Sequence, residues 1–255
     1  MRLLHLQRPF VVGVVVEKTA RAAERAAASA FRDGADAVEL NLAPLPGDAG
    51  LDRKFFARLG RPVYTTCRRA GFMRVYGPAF ARLPAIPEDE RMARQWALVA
   101  AGAAGLDLEA DTFAPSAQEW TSDRGALRRQ RELVDAAHRR GAAVICSWHP
   151  PRKLTFAEAL RAARTLRDRG ADFVKIVERV RSAAAARDSV EISVRLAIKL
   201  DTPFIFLALG PGAARFRPFM TAFGAAYLLA RPPCGSNRLA AQPLVARARI
   251  LVDLA

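Results

Sequence analysis

The chain has 255 residues, 51% of them hydrophobic, enough to bury one large core, and a single domain is the simplest arrangement. A formal charge of +15 and a pI near 11.1 would suit a nucleic-acid partner if the cations were clustered. They are scattered arginines, spread along stretches such as 124–140 and 161–169 as on solvated helix faces, so no nucleic-acid partner is expected.

The three cysteines, Cys67, Cys146 and Cys234, have neither metal-ligand nor disulfide-framework spacing, so no metal site is expected and the compartment is read as reducing. Residues 1–9 lack an apolar stretch followed by a small-residue cleavage site, and no run approaches membrane-spanning length. A soluble cytoplasmic protein without a membrane partner is the expectation.

Along the chain, short β-branched apolar runs alternate with longer alanine- and arginine-rich stretches of helical period. Strands are predicted at 11–16 (VVGVVV), 37–42 (AVELNL), 63–67 (VYTTC), 105–110 (GLDLEA), 143–148 (AVICSW), 173–177 (FVKIV), 204–209 (FIFLAL) and 225–230 (AAYLLA). Helices are predicted at 19–33, 51–59, 88–104, 123–140, 155–169, 183–199, 213–222 and 241–254. Thr155-Phe156-Ala157-Glu158 forms a capping box, and glycines at Gly34, near Gly105 and at Gly170 are placed to end the helices before strands two, four and six. Eight β/α units in one chain of this size predict an α/β fold, a single-domain (β/α)8 TIM barrel spanning residues 1–255. The longest irregular stretch, 69–87, follows strand three and belongs at the barrel mouth.

In such a barrel the site lies at the carboxyl ends of the strands, so polar residues inside apolar strands are the candidates. Glu39 and Asn41 alternate with Val38, Leu40 and Leu42, and Asp107 and Glu109 alternate with Leu106 and Leu108, which points the polar groups to one face. Strand three ends in Thr66-Cys67-Arg68, strand five in Ser147-Trp148-His149, and strand six holds Lys175. Among Lys18, Lys54, Lys153, Lys175 and Lys199, only Lys175 is embedded in a strand. Burial favours the neutral amine that attacks a carbonyl, a role closed to arginine. In isolation a mid-strand lysine is more often a structural ion pair, here with Glu39 or Glu109. Its place on strand six beside His149 on strand five, a group able to move protons near neutral pH, argues for imine chemistry. Arg68 and Arg217 are candidate clamps for an anionic small-molecule substrate.

These segments, namely Ala35-Asp36-Ala37-Val38-Glu39-Leu40, Arg68, Leu106-Asp107-Leu108-Glu109, Ser147-Trp148-His149, Gly170 to Ile176 and Leu207-Ala208-Leu209-Gly210 with Arg217, resemble the type I 3-dehydroquinate dehydratases over essentially the whole chain. The resemblance implies that Lys175 forms an imine with the ketone of 3-dehydroquinate and that His149 removes the α-proton and helps water leave. It also implies that Arg217 binds the substrate carboxylate, that Glu39 and Arg68 hold hydroxyls, and that Ser236 contacts the substrate. The chemistry needs no cofactor, and members of the family are often homodimers.

The chain departs from the family at several places. Asn41 replaces a substrate-binding arginine, and Arg69-Ala70-Gly71-Phe72 lacks a glutamate that supports the histidine. Pro150 replaces an aspartate, and Asn237-Arg238-Leu239-Ala240 lacks an expected glutamine. Three functions stay open at this level: a 3-dehydroquinate dehydratase, a diverged imine-forming lyase acting on another carbonyl compound, and a non-catalytic paralogue serving as a binding scaffold.

Overall fold

The computed structural model describes residues 2–47 and 49–255. Eight parallel strands form the barrel: β1 (Phe10–Val16), β2 (Ala37–Asn41), β3 (Val63–Thr66), β4 (Gly105–Glu109), β5 (Ala143–Trp148), β6 (Phe173–Arg179), β7 (Phe204–Leu209) and β8 (Tyr227–Ala230). Their order is β7-β6-β5-β4-β3-β2-β1-β8. The ring nearly closes between β7 and β8, where the Ala226 amide donates to the Phe204 carbonyl at 2.7 Å. Around it lie α1 (Ala20–Arg32), α2 (Arg53–Leu59), α3 (Ala70–Met73), α4 (Glu88–Ala101), α5 (Arg124–Arg139), α6 (Phe156–Asp168), α7 (Ala183–Lys199), α8 (Ala213–Phe216) and α9 (Val245–Asp253). The (β/α)8 barrel expected from the alternation is present, and every strand lies within two residues of its predicted span.

The strands form because both of their faces are covered, so runs such as Phe-Val-Val-Gly-Val-Val-Val in β1 are buried throughout. The helices dock through small residues: Ala23, Ala26, Ala27 and Ala30 make the buried face of α1, at the spacing of one helical stripe. Helix starts are fixed by side chains that accept orphan backbone amides. Thr19, Asp52, Asp123 and Ser182 each cap a helix, and Thr155 with Glu158 forms the predicted capping box.

Four expectations need correction. The helix before β4 ends at Gly102, whose φ of +121° reverses the chain, while Gly105 lies in the strand. The predicted helix at 213–222 breaks after α8 into a 3-10 segment, Arg217–Phe223, because Pro218 cannot continue the α-helical hydrogen bonding. The last helix starts at Val245; residues 240–241 form a turn, closed by the Gln242 amide on the Leu239 carbonyl at 2.9 Å, and the Arg231 amide bonds the Pro243 carbonyl at 2.8 Å. The stretch 69–87 is partly ordered as α3 and two 3-10 turns, Arg74–Tyr76 and Pro78–Phe80.

An aromatic cluster fills the lower barrel. Phe10 stacks on Tyr227 at 5.1 Å, Phe173 meets both edge-on, and Tyr64 lies tilted against Tyr227. This floor leaves the upper barrel to polar side chains. Cys67, Cys146 and Cys234 are free thiols. Among the described residues no helix is long and apolar enough to cross a membrane.

The α1–β1 contact gives a direct test of this packing. A Cβ on Gly13 would sit 2.6 Å from the Ala30 Cβ, inside van der Waals contact. Gly13→Ala should lower unfolding free energy by about 1–3 kcal/mol in chemical denaturation, the usual penalty for overpacking. Adding Ala30→Gly should recover part of that loss; an additive pair would place the clash elsewhere.

Candidate active site

Strand alternation carries Glu39, Asp107, Glu109, Ser147 and Lys175 into the barrel, where all are buried. Lys175 Nζ donates to Glu39 Oε2 at 2.9 Å and to Asp107 Oδ2 at 3.3 Å. The ion pair considered from the sequence therefore exists, with Glu39 and Asp107 as partners and Glu109 elsewhere. Tyr64 donates its hydroxyl to the same Glu39 oxygen at 2.8 Å, and the Tyr227 hydroxyl lies 3.4 Å from that of Tyr64. The lysine thus stands on the aromatic floor with a carboxylate on either side.

Above it, Arg68 organises the next layer. Its Nη2 donates to Asp107 Oδ2 at 2.6 Å, and its Nη1 lies 2.8 Å from Glu109 Oε1 and 3.1 Å from both Ser147 Oγ and His149 Nδ1. Burial works against the Arg68 cation, but Asp107, Glu109 and Glu39 more than restore it and hold the group firmly protonated. Burial would likewise raise Glu109, yet Arg91, Arg68 and Arg69 hold its carboxyl down at about 2. Arg91 is fastened in turn to the Cys67 carbonyl and to Glu109. Because a guanidinium only donates, the bond from Arg68 requires Nδ1 of His149 to act as acceptor in this arrangement.

His149 closes the network at the mouth. Burial, together with Arg68, Lys175, Arg179 and Arg217, pushes its pKa well below the ordinary histidine value, so the ring is neutral at neutral pH. Phe72 packs against it edge-on, with ring centres 5.1 Å apart.

These residues line a cavity of about 330 Å³ including its opening, with Lys175 at the base and His149, Arg68, Arg217 and Tyr76 around it. Phe72, Val177, Leu209, Leu229 and Leu239 supply its apolar wall. Arg217 is 6% exposed and has no ion pair or hydrogen bond among the described residues. Burial pulls its pKa down to about 10 despite the opposing influence of Tyr76 and Glu39. It remains a cation at neutral pH, desolvated and unpaired, and such a group gains most from an incoming anion. The Arg238 amide donates to the Tyr76 carbonyl at 2.9 Å, joining the loop after β3 to the loop after β8 across the opening.

Three residues chosen from the sequence do not line the cavity. Asn41 is consumed locally: its amide nitrogen meets Met73 Sδ at 3.3 Å and its oxygen accepts from the Ala43 amide at 3.1 Å. Ser236 is bound to Glu17 through both its backbone amide and its hydroxyl, at 2.6 and 2.8 Å. Glu39 is committed to Lys175 and Tyr64 and does not line the cavity.

Three residues at or beside the site were not selected from the sequence. Tyr76, at the end of a 3-10 turn, and Glu119, in a loop, lie in segments without periodicity, so nothing in the local pattern distinguished them. Gln242 lines the cavity two positions beyond Ala240, where the sequence comparison looked for a glutamine, and it accepts from Asn237 Nδ2 at 2.8 Å. A shift of two residues between β8 and α9 was the missed signal.

The fold matches solved structures over nearly its full length. A 3-dehydroquinate dehydratase from Geobacillus kaustophilus superposes with a TM-score of 0.76 at 18% identity, covering 100% of this chain and 95% of that one. A type I 3-dehydroquinate dehydratase from Clostridium difficile, determined with covalently modified comenic acid, gives 0.76 at 16% identity, with 98% and 93% covered. The 3-dehydroquinate dehydratase of Enterococcus faecalis gives 0.72 at 19% identity, with 90% and 93% covered. No curated protein sequence matches the chain. The family model for type I 3-dehydroquinase matches residues 11–233, and with most of the barrel inside that match the chain belongs to the type I 3-dehydroquinase family.

Proposed function

We propose that this protein removes water from 3-dehydroquinate to give 3-dehydroshikimate through an imine on Lys175. The observation that carries the reading is the placement of a buried lysine at the base of a cavity whose rim holds a neutral histidine and an unpaired arginine. Membership of the type I 3-dehydroquinase family and the dehydratase structures sharing the fold support it.

In this reading the substrate carboxylate pairs with Arg217, which directs the ketone towards Lys175. The ammonium yields a proton to Glu39 or Asp107, both within 3.3 Å, and the free amine adds to the ketone carbon. Loss of the carbonyl oxygen as water leaves an iminium. Its positive nitrogen withdraws electrons from the adjacent C–H bond, so His149 can take that proton and an enamine forms. The enamine electrons expel the β-hydroxyl, which leaves as water with the proton from His149. Hydrolysis then consumes one water and frees product and lysine, so the net change is the loss of one water. The imine is the electron sink, and no further cofactor chemistry is required.

Arg68 serves in this scheme mainly by holding Asp107 and Glu109 in place beneath the reacting atoms, since its terminal nitrogens are already bonded to them. Tyr76 and Gln242 take the hydroxyl-binding positions that Asn41 and Ser236 leave empty by turning to Met73 and Glu17. That altered rim also favours a second reading, a lyase with the same imine chemistry on a related hydroxy-ketone acid.

The enone product allows a continuous absorbance assay. Wild-type protein should convert 3-dehydroquinate, and Lys175→Ala should abolish turnover while its circular dichroism stays unchanged; retained turnover would rule out the imine. Arg217→Ala should lower kcat/KM about 10- to 100-fold, mostly through KM, as expected for losing charge-assisted bonds worth about 1.5–3 kcal/mol. Arg217→Lys should recover only part of it, because an ammonium cannot reproduce the bidentate pairing. An unchanged KM in Arg217→Ala would move the carboxylate site elsewhere.

A further inference from the structure

His149 has a second neighbour at Nδ1 besides Arg68. Glu119 Oε2 lies 3.6 Å from that nitrogen, the one carboxylate paired with the ring among the described residues. Glu119 comes from the loop between β4 and α5, a different element from the one bearing Phe72. The loop is built to hold it. Ser116 Oγ accepts from the Trp120 amide and donates to the Trp120 carbonyl, and Asp111 accepts from the Ser116 amide. Trp148, the residue before His149, donates its indole N–H to the Gln118 carbonyl at 2.8 Å, which ties the loop directly to the end of β5. Trp120 packs edge-on against Trp148 and lies under Arg169. Glu119 itself adopts φ +51°, a left-handed conformation unusual for glutamate. Its side chain makes no hydrogen bond among the described residues, so it is held beside the histidine without being used for the fold.

The contacts at Nδ1 compete. Arg68 Nη1 carries two hydrogens and faces three acceptors, Glu109 Oε1, Ser147 Oγ and His149 Nδ1. The two oxygens can use both hydrogens, which releases Nδ1. Donation from Arg68 leaves the neutral ring protonated at Nε2, the nitrogen without a protein partner among the described residues; such a ring can only give a proton there. Removal of a substrate proton needs the other tautomer, with hydrogen on Nδ1 and a lone pair on Nε2. That tautomer requires an acceptor at Nδ1, and Glu119 is the available one.

The geometry points to Glu119 as the positioning residue that sets the tautomer of His149, in opposition to Arg68, and so decides whether the ring acts as base or acid. This deepens the proposed dehydratase reading and rests on it for the role of the tautomer in turnover. The reaction uses the Nδ1–H tautomer: with that hydrogen held by Glu119, Nε2 takes the α-proton as a base and, from the resulting imidazolium, returns it to the departing hydroxyl as an acid.

The groups around the pair give the pH dependence its sign. Glu119 faces Glu109 and Asp111 from β4 and the loop after it, Arg68 and Arg69 from the loop after β3, and His149 from β5. His149 faces Lys175 and Arg179 from β6 and Arg217 from the segment after β7. Burial and the nearby Glu109 raise the Glu119 carboxyl to about 7, against the opposing Arg68 and Arg69. Above that pH it is ionised and accepts Nδ1–H; below it the carboxyl is neutral and Arg68 prevails. Glu109, Glu119 and His149 also place one ligand atom each within 4.8 Å of one another. Arg68, Arg69 and Arg91 already neutralise Glu109 and set three positive charges there, so the cluster suits proton transfer better than cation binding.

The chain contains only three histidines, so nitrogen-15 labelling of their rings gives a readable spectrum, with His149→Gln assigning the signal. In the wild type, His149 should pass from the Nε2–H form to the Nδ1–H form as pH rises through about 7. Glu119→Gln should remove that pH-dependent step, and Glu119→Ala should leave the ring Nε2–H throughout. In turnover, Glu119→Ala should reduce kcat about 10- to 100-fold with little change in KM and in imine trapping by borohydride. Glu119→Gln should retain more activity and lose the acid limb of the profile. Identical tautomer behaviour in the wild type and both variants would overturn the proposal. Because the spectrum needs no substrate, a tautomer step without turnover would discard the 3-dehydroquinate reading and keep Glu119, whereas turnover without the step would do the opposite.

Discussion

The guanidinium of Arg68, clasped between Asp107 and Glu109, is the interaction on which the site depends. Both carboxylates are buried, and one of them also touches Lys175. Removing one partner of such a set leaves an uncompensated charge and typically costs about 3–5 kcal/mol. The barrel tolerates the set because each charge has a partner: Lys175 has Glu39 and Asp107, and Glu109 has three arginines. Arg217 is the exception, without an ion-pair partner among the described residues, and in the proposed reaction it receives the substrate anion.

This balance sits above an apolar and aromatic floor, and the two layers explain each other. Phe10, Phe173 and Tyr227 exclude water from the lower barrel, so the polar groups above must satisfy one another. Tyr64 joins the layers, with its ring in the aromatic cluster and its hydroxyl on Glu39. The lysine is consequently held at one height and in one direction, as the proposed attack on a bound ketone demands.

The strands could be read from the sequence because their burial on two faces leaves a pattern of apolar runs, and the inward polar residues could be read because they interrupt it. Lys175 was found in this way, Arg68 and His149 by their places directly after strands and Arg217 as a candidate anion clamp, and the four meet around one cavity. Asn41 was read from the same strand pattern and Ser236 from the family resemblance, but side chains at the end of a strand or in a loop are directed by local partners. Met73 and Glu17 are those partners, and they come from 32 and 219 residues away. Glu119 was illegible for a similar reason: its place depends on Trp148 holding Gln118, a long-range contact that leaves no periodic trace.

In the proposed reaction Lys175, alone among the lysines, becomes covalently bound to the substrate ketone. The direct measurement is to add 3-dehydroquinate, reduce with borohydride, digest, and locate the added mass by peptide mass spectrometry. A reduced imine is expected on the peptide carrying Lys175 and none on those carrying Lys18, Lys54, Lys153 or Lys199. No adduct during active turnover, or an adduct on another lysine, would contradict it.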